Sequence, residues 1–428
     1  MKRNLIANIK IDEQNKIQGF VENIRDKSKF AFLVISDVTG KVQVFVDKMA
    51  NPDLAEAVSK LTLQSVVTIE GKAVSNPGVK LNGMELVCEK IEIESTAEAL
   101  PIKPDSSIDL RMDYRWLDLR SEQNLLIFKV QTDLVRYMRE YLYSQDFMEI
   151  HTPKLIGTAS ESGSEVFEVK YFDRAAYLAQ SPQFYKQMAM AGGFERIFEI
   201  GPVFRAEKSY TNRHTTEFTS FDLEISYIES FHDVMSVEED IIIYAFEKIR
   251  EKYNQQVMDM FGKEIVVPKK PFPVLTLDEL YAVLEEKYNF VMPEDEKGDL
   301  STEAENLCYK YTMETYGHEF LFVTDFGAEK RAFYHMRKDG VPQGYDLIWR
   351  GVEITTGAQR EHNYDVLKAQ ADEKGLGEDV AFYLEFFKYG CPPHGGFAIG
   401  VDRLTMLLLG IHIKDAMFLF RGPNRLHP

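Results

Sequence analysis

Residues 16–94 constrain the fold more than any other part of the chain. Five segments of alternating apolar residues occur there: KIQGFVENIRD, KFAFLVISD, KVQVFVDK, QSVVTIEGKAV and MELVCEKIEIE. A single helix-like segment, PDLAEAVSKL, falls between the third and the fourth. Alternation of period two marks strands buried on one side. The order β-β-β-α-β-β in about 80 residues suits a small closed barrel. Pairing the second and third strands sharpens this. If Asp37–Gly40 forms the hairpin loop, Ser36 faces Lys41 and Phe32 faces Phe45. Phe32, Val34, Gln43 and Phe45 then share one face, while Leu33, Ile35, Val42 and Val44 share the other. The aliphatic face is expected in the barrel core. The face with two aromatics and a glutamine suits stacking of unpaired bases. It equally fits a second buried layer with a satisfied glutamine, and pattern alone leaves both open.

This order is that of an OB fold, expected over residues 1–97. A proline- and charge-rich stretch at 98–125, with ALPIKPDSS and RMDYRWLDLRSEQN, is expected to be a hinge. From 126 to 428 long helices alternate with apolar strands, which indicates an α+β body; residues 275–315 look like a peripheral insertion. At 428 residues there is room for two or three cores. The formal charge of −18 argues against a non-specific nucleic-acid binder without excluding a local basic site. Three dispersed cysteines imply neither a disulfide framework nor a zinc site. The start of the chain has no sustained apolar run, and nothing approaches ~18 apolar residues in a row. No signal peptide or transmembrane helix is therefore expected, and a cytoplasmic setting fits.

No GxxxxGK[ST] or GxGxxG pattern is present, so a nucleotide would need another kind of site. One candidate is FRAEKSYTNRHTTEFTSFDLEISY at 204–227, two strands around a polar loop. Arg205 and Glu207 are expected on one face of the first strand, with Phe218 opening the second. Arg205 can fork to a phosphate, Glu207 can accept from an amine and Phe218 can stack on a purine. A second hairpin, YDLIWRGVEITTGAQREH at 345–362, turns at Arg350-Gly351 and pairs Ile348 with Glu353. That puts Asp346 and Glu353 on one face, where two carboxylates repel unless a cation sits between them. All-oxygen ligands favour Mg2+; a salt bridge to Arg350 or Arg360 is the alternative. In LAQSPQFYKQMAMAGG, at 178–193, Ser181-Pro182 reads as a helix start, with Gln183 and Lys186 as neighbours on one face and Gln180 just before it. Finally, GGFAIGVDRLTMLLLG at 395–410 places Arg403 at a helix entrance, either on a solvated helix end or aimed at a phosphate.

Together and in this order, these segments resemble class II aminoacyl-tRNA synthetases, and closely the aspartyl-tRNA synthetases of archaeal and eukaryotic type. FMEIHTPKL (147–155) resembles motif 1, which forms the homodimer interface in that family. FRAE…RHTTEF resembles motif 2, and GFAIGVDR resembles motif 3. Asp402 stands where glutamate is usual, and Ala358 replaces a glycine. The resemblance implies ATP, Mg2+, L-aspartate and tRNA-Asp as ligands, with tRNA-Asn as an open second substrate. It implies that Arg205 and Arg403 do the catalytic work, Arg205 on the ATP α-phosphate and the aspartate carboxylate oxygen and Arg403 on the γ-phosphate. Glu207 and Phe218 would hold the adenine, Arg213 and His214 would lie near the phosphates, and Gly400 and Asp402 would complete the ATP site. Asp346 and Glu353 would carry Mg2+, with Thr356 nearby and close to the amino acid. Glu161 would meet the aspartate ammonium group, helped by Gln180 and Gln183, while Lys186 and Arg360 would hold its side-chain carboxylate. Phe32, Gln43 and Glu85 match the positions that read the middle anticodon base.

Asparaginyl-tRNA synthetases and a non-catalytic RNA-binding paralogue are the alternatives. Lys186 favours aspartate, because relatives that use asparagine carry an apolar residue at the matching position. A neutral amide between Lys186 and Arg360 would leave a buried cation unpaired, at a cost on the order of 3–5 kcal/mol. The anticodons for aspartate and asparagine differ only in the third base. Residues near Asn23 and in the loop SNPGVKLNG (75–83) are expected to contact that base, and Pro77, which lacks a donor and a charge, leans towards tolerance there.

Overall fold

The computed structural model describes residues 2–160, 165–208, 215–294 and 296–428. It divides into two compact units, Met1–Tyr114 and Arg115–Pro428.

In the first unit, strands Gln14–Asp26, Phe30–Asp37, Gly40–Asp47, Met84–Ser95 and Val66–Ser75 close into a barrel in that spatial order. The helix Pro52–Lys60 lies between the third and fourth strands in sequence, capped by the Asn51 side chain. The hairpin register is the expected one: Ser36 faces Lys41, Phe32 faces Phe45 and Val34 faces Gln43. Leu33, Ile35, Val42 and Val44 are all fully buried in the barrel core. Closure brings Gly71 against the neighbouring strand, where a Cβ would sit 2.1 Å from the Val87 carbonyl oxygen, so only glycine fits this bulge.

The second unit is built on an eight-stranded sheet. Its order is Val274–Thr276, Phe320–Thr324, Gly344–Trp349, Val352–Arg360, His394–Gly400, Glu217–Ser226, Arg196–Phe204 and Met148–Glu149. The two edge pairings are parallel and the rest antiparallel. Helices Glu122–Ser144 and Phe231–Phe261 cover one face, burying Phe198, Phe221, Leu223, Phe397 and Tyr345 in a continuous core. Alternation then delivers Asp222, Glu224, Ala398, Asp346 and Thr356 to the opposite face. Residues 275–315 contribute to the edge strand and to helices Leu277–Tyr288 and Thr302–Tyr316, which build a core of their own against Leu321, Val323 and Ile348.

The stretch expected as a hinge holds two short helices, Ile108–Asp113 and Arg115–Asp118, and the boundary between the units falls between them. Arg115 is 1% exposed despite its charge. Its guanidinium donates to the carbonyls of Asp415 (3.0 Å), Met417 (2.8 Å) and Phe418 (3.2 Å), and to Asn124 (3.3 Å), and pairs with Asp118. A charge-rich sequence read as linker therefore anchors the C-terminal segment. Among the described residues no helix is long and apolar enough to cross a membrane.

Candidate active site

A cavity of about 310 Å³ opens on the sheet face opposite the long helices. Eleven of the expected site residues line it. Gln183 and Lys186 come from the helix Gln183–Ala191; Arg205, Glu207 and Phe218 come from the second-unit hairpin. Glu353, Thr356 and Arg360 lie on one strand, and Gly400, Asp402 and Arg403 sit at the strand-to-helix junction. Glu161, Arg213 and His214 lie outside the described residues. Gln180 is not among the lining residues; it is 1% exposed and donates to the Glu165 carbonyl at 3.1 Å.

The face of this helix that carries Gln183 and Lys186 is buried and not a solvated helix face. Lys186 is 2% exposed, and its Nζ lies 3.3 Å from both Asp222 and Glu224. Arg360, 3% exposed, donates to Glu224 at 3.1 Å and to the Gly396 carbonyl at 2.9 Å. A Cβ on Gly396 would meet the Glu224 carboxylate at 2.3 Å, so glycine is what lets this charge pack against the neighbouring strand. Burial alone would raise the Glu224 pKa, but Arg360 and Lys186 hold it below the usual carboxylate range. Burial wins at Asp222, whose pKa is raised despite Lys186 and the Ser220 hydroxyl. The expectation that an amide ligand would leave Lys186 unpaired is therefore corrected. Both cations already have carboxylate partners, brought from a strand more than thirty residues away in sequence.

Several local expectations also shift. The strand Arg196–Phe204 ends before Arg205, so Arg205 and Glu207 leave the sheet and do not share a strand face. Arg205 stays tied to the hairpin through its backbone N–H to Thr216 (2.9 Å). Its guanidinium lies 5.5 Å from the Phe218 ring centroid and 3.9 Å from Glu207. The helix after Ser181 begins one residue later than expected, with Pro182 at the N-cap position and the Ser181 Oγ accepting from the Gln183 N–H at 3.2 Å. Arg403 reaches across the junction and donates to the Glu353 carbonyl at 2.7 Å. Asp402, at the cavity edge, accepts from the Thr219 N–H (2.9 Å) and Gln131 (3.2 Å), so its carboxylate braces two elements.

The hairpin turn at Arg350-Gly351 pairs Ile348 with Glu353 as expected, and both turn residues have positive φ. An irregularity at Leu347/Ile348 then sets Asp346 opposite Thr356. The cation beside Asp346 is neither Arg350 nor Arg360. Arg331, unforeseen from the sequence, forks onto both carboxylate oxygens at 2.9 and 2.6 Å. Burial first, and the neighbouring Glu353 charge, push the Asp346 pKa up to about 6 in spite of that partner. Among the described residues no cluster of three or more His, Cys, Asp or Glu side chains could cage a metal. Glu353 and the Thr356 hydroxyl, 3.1 Å apart, instead present oxygen donors to the cavity. This set fits a hard cation shared with phosphates better than a dedicated protein cage.

In the barrel, Gln43 donates to Glu85 at 3.0 Å, and Asn76 donates to the other Glu85 oxygen at 2.9 Å. Phe32 sits 5.4 Å from Phe30 and 5.6 Å from Phe45 on the same partly exposed face. The glutamine is satisfied, as the bland reading required, but the face is not a second buried layer. Asn76 was missed because nothing in a loop sequence shows which side chain will orient a distant acid.

Residues 107–421 match the model of the tRNA synthetases class II (D, K and N), and residues 16–94 match the OB-fold nucleic acid binding domain. The chain belongs to the class II tRNA synthetases. It is similar along almost its whole length to an "Aspartate--tRNA(Asp) ligase" of Pyrococcus abyssi, with 41% identity covering 96% of each chain. It is equally similar to an "Aspartate--tRNA(Asp/Asn) ligase" of Methanopyrus kandleri, with 42% identity covering 97% of this chain and 96% of the relative. Among solved structures, the asparaginyl-tRNA synthetase of Pyrococcus horikoshii with asparaginyl-adenylate matches with a TM-score of 0.92 at 31% identity, covering 100% of both chains.

Proposed function

We propose that this chain is an aspartate–tRNA ligase, which joins L-aspartate to the 3′ end of tRNA through an aspartyl-adenylate. The observation that carries the choice of amino acid is the buried quartet Lys186, Asp222, Glu224 and Arg360, of which Lys186, Asp222 and Arg360 line the cavity. With all four groups ionised its net charge is zero. With a proton on Asp222, the weaker of the two acids, it is +1 and complements an incoming side-chain carboxylate. An asparagine amide gains nothing from that charge. Aspartate is therefore expected to support ATP–pyrophosphate exchange at least ~100-fold better than asparagine; comparable rates would contradict the assignment.

The same quartet predicts a pH effect of definite sign. Lower pH keeps Asp222 protonated and strengthens aspartate binding; as Asp222 ionises with rising pH, binding weakens. Calorimetry in buffers of different ionisation enthalpy is expected to show proton uptake with aspartate. Its absence would mean that Asp222 does not adjust to the substrate.

In the first step the aspartate α-carboxylate oxygen attacks the ATP α-phosphorus and pyrophosphate leaves. In the second, the tRNA terminal hydroxyl attacks the adenylate carbonyl, loses its proton and displaces AMP. Neither step needs a covalent enzyme intermediate, so the work is positioning and charge neutralisation. Arg205 is suited to the α-phosphate, Arg403 to the γ-phosphate, and Phe218 with Glu207 to the adenine. Phe218 carries the planar Arg205 guanidinium on its face, which supports its use as a stacking platform. Mg2+ held by Glu353 and Thr356, with Asp346 behind them, would neutralise phosphate charge. Glu161, Gln180 and Gln183 are assigned to the aspartate ammonium group, and Arg213 and His214 to the phosphates.

The barrel face is assigned to the anticodon. Because Glu85 takes the Gln43 amide N–H, the Gln43 carbonyl oxygen is left to accept from a base imino group, beside the Phe32 ring. A second copy is assigned to the motif 1 edge at 147–155, where Met148 and Leu155 are exposed on short edge strands.

A further inference from the structure

We propose that Gln187 and His394 form a hydrogen-bond relay that fixes which end of the Gln183 amide faces the amino acid's ammonium group. This rests on the assignment of Gln183 to that group.

The polarity of the relay is set at a peptide carbonyl. His394 Nδ1 lies 2.9 Å from the Pro392 carbonyl oxygen, and a carbonyl only accepts, so Nδ1 carries the hydrogen. Cys391 Sγ, 3.6 Å from the same nitrogen, is the weaker partner. Burial first lowers the His394 pKa to about 4, so the ring is neutral and Nε2 is an acceptor. Gln187 faces that nitrogen at 3.0 Å and can meet an acceptor only with its NH2 end. Its Oε1 is thereby turned away, towards the Tyr383 hydroxyl at 2.9 Å and the Gln183 Nε2 at 2.8 Å, both of which donate to it.

Gln183 thus commits its NH2 end to Gln187. The end left for the cavity it lines is the carbonyl oxygen. An ammonium group donates three hydrogens and accepts none, so this is the orientation it needs. Turned the other way, the amide would set N–H against N–H. Gln187, His394 and Tyr383 are fully buried and Gln183 nearly so. An inverted amide anywhere along the relay would leave buried groups unpaired, which holds the polarity in one sense. Gln187 and His394 are positioning residues, since they act on the substrate through Gln183.

The test compares aspartate with succinate, which keeps both carboxylates and lacks the amine. The KM for aspartate and the inhibition constant for succinate are measured in ATP–pyrophosphate exchange with Gln187→Leu, His394→Asn and Gln183→Leu. Gln187→Leu and His394→Asn are expected to raise the aspartate KM roughly tenfold and to leave the succinate constant within about twofold. Equal weakening of aspartate and succinate would mean a displaced pocket and would overturn the relay. If Gln183→Leu shifts the aspartate-to-succinate ratio and the other two do not, the relay fails alone; if Gln183→Leu leaves the ratio unchanged, the assignment of Gln183 fails first. Should one buried variant not fold, the other decides.

Discussion

Lys186→Met is expected to lower aspartate-dependent ATP–pyrophosphate exchange by about 100- to 1,000-fold, with the ATP KM changed by less than about threefold. The magnitude is that of breaking a buried ion pair, on the order of 3–5 kcal/mol, where each 1.4 kcal/mol is about tenfold. Methionine fills much of the same space, so the loss is one of charge. Without Lys186, Glu224 keeps Arg360 while Asp222 loses its cation, and the surplus negative charge opposes the substrate carboxylate. Asp222, already the weaker acid, would relieve part of this by taking a proton, which is why the loss stops short of the full Coulomb energy. Activity within tenfold of the parent would remove the quartet from the account of specificity.

The largest effect on stability is expected at Arg115, far from the cavity. Arg115→Met removes hydrogen bonds to three carbonyls and to Asn124, and breaks the ion pair with the Asp118 carboxylate, which is 8% exposed. A loss of about 3–5 kcal/mol is expected for the second unit, read as an earlier urea transition, with faster amide exchange around residues 415–418. The consequence should reach the nucleotide site. The carbonyl of Arg421, just beyond that anchor, accepts from the Thr216 N–H and the Thr215 hydroxyl at the end of the hairpin loop that carries Arg205. An unchanged transition would show that the C-terminal segment is held by its apolar contacts alone.

The parts of the structure legible in the sequence were those ruled by short periods. Alternation in KFAFLVISD and KVQVFVDK, with one hairpin loop, gave the barrel register residue by residue, because a slip by one would expose Leu33 and Val44. The turn at Arg350-Gly351 gave Ile348 opposite Glu353 for the same reason, but the adjacent irregularity has no pattern and moved Asp346 against Thr356. Partners from distant segments were not legible. Lys186 and Gln183 look like a solvated helix face until Asp222 and Glu224 arrive across the sheet. Arg331 lies in a segment without periodicity, so nothing announced that it would fork onto Asp346. Arg115 stands in a stretch whose prolines and charges resemble a linker. Its burial is decided by carbonyls some three hundred residues later. The resemblance to a family supplied the roles of Arg205, Glu207, Phe218 and Arg403; the geometry brings these four around one cavity but does not by itself say which phosphate each would hold.

The measurement that bears most directly on the central claim is charging of purified tRNA-Asp and tRNA-Asn transcripts with labelled aspartate, side by side and with ATP. The account predicts ATP-dependent aspartylation of tRNA-Asp, and labelling of tRNA-Asn as well would extend the barrel's tolerance to the third anticodon base. Failure to label either transcript with aspartate, while asparagine is transferred to tRNA-Asn, would contradict it.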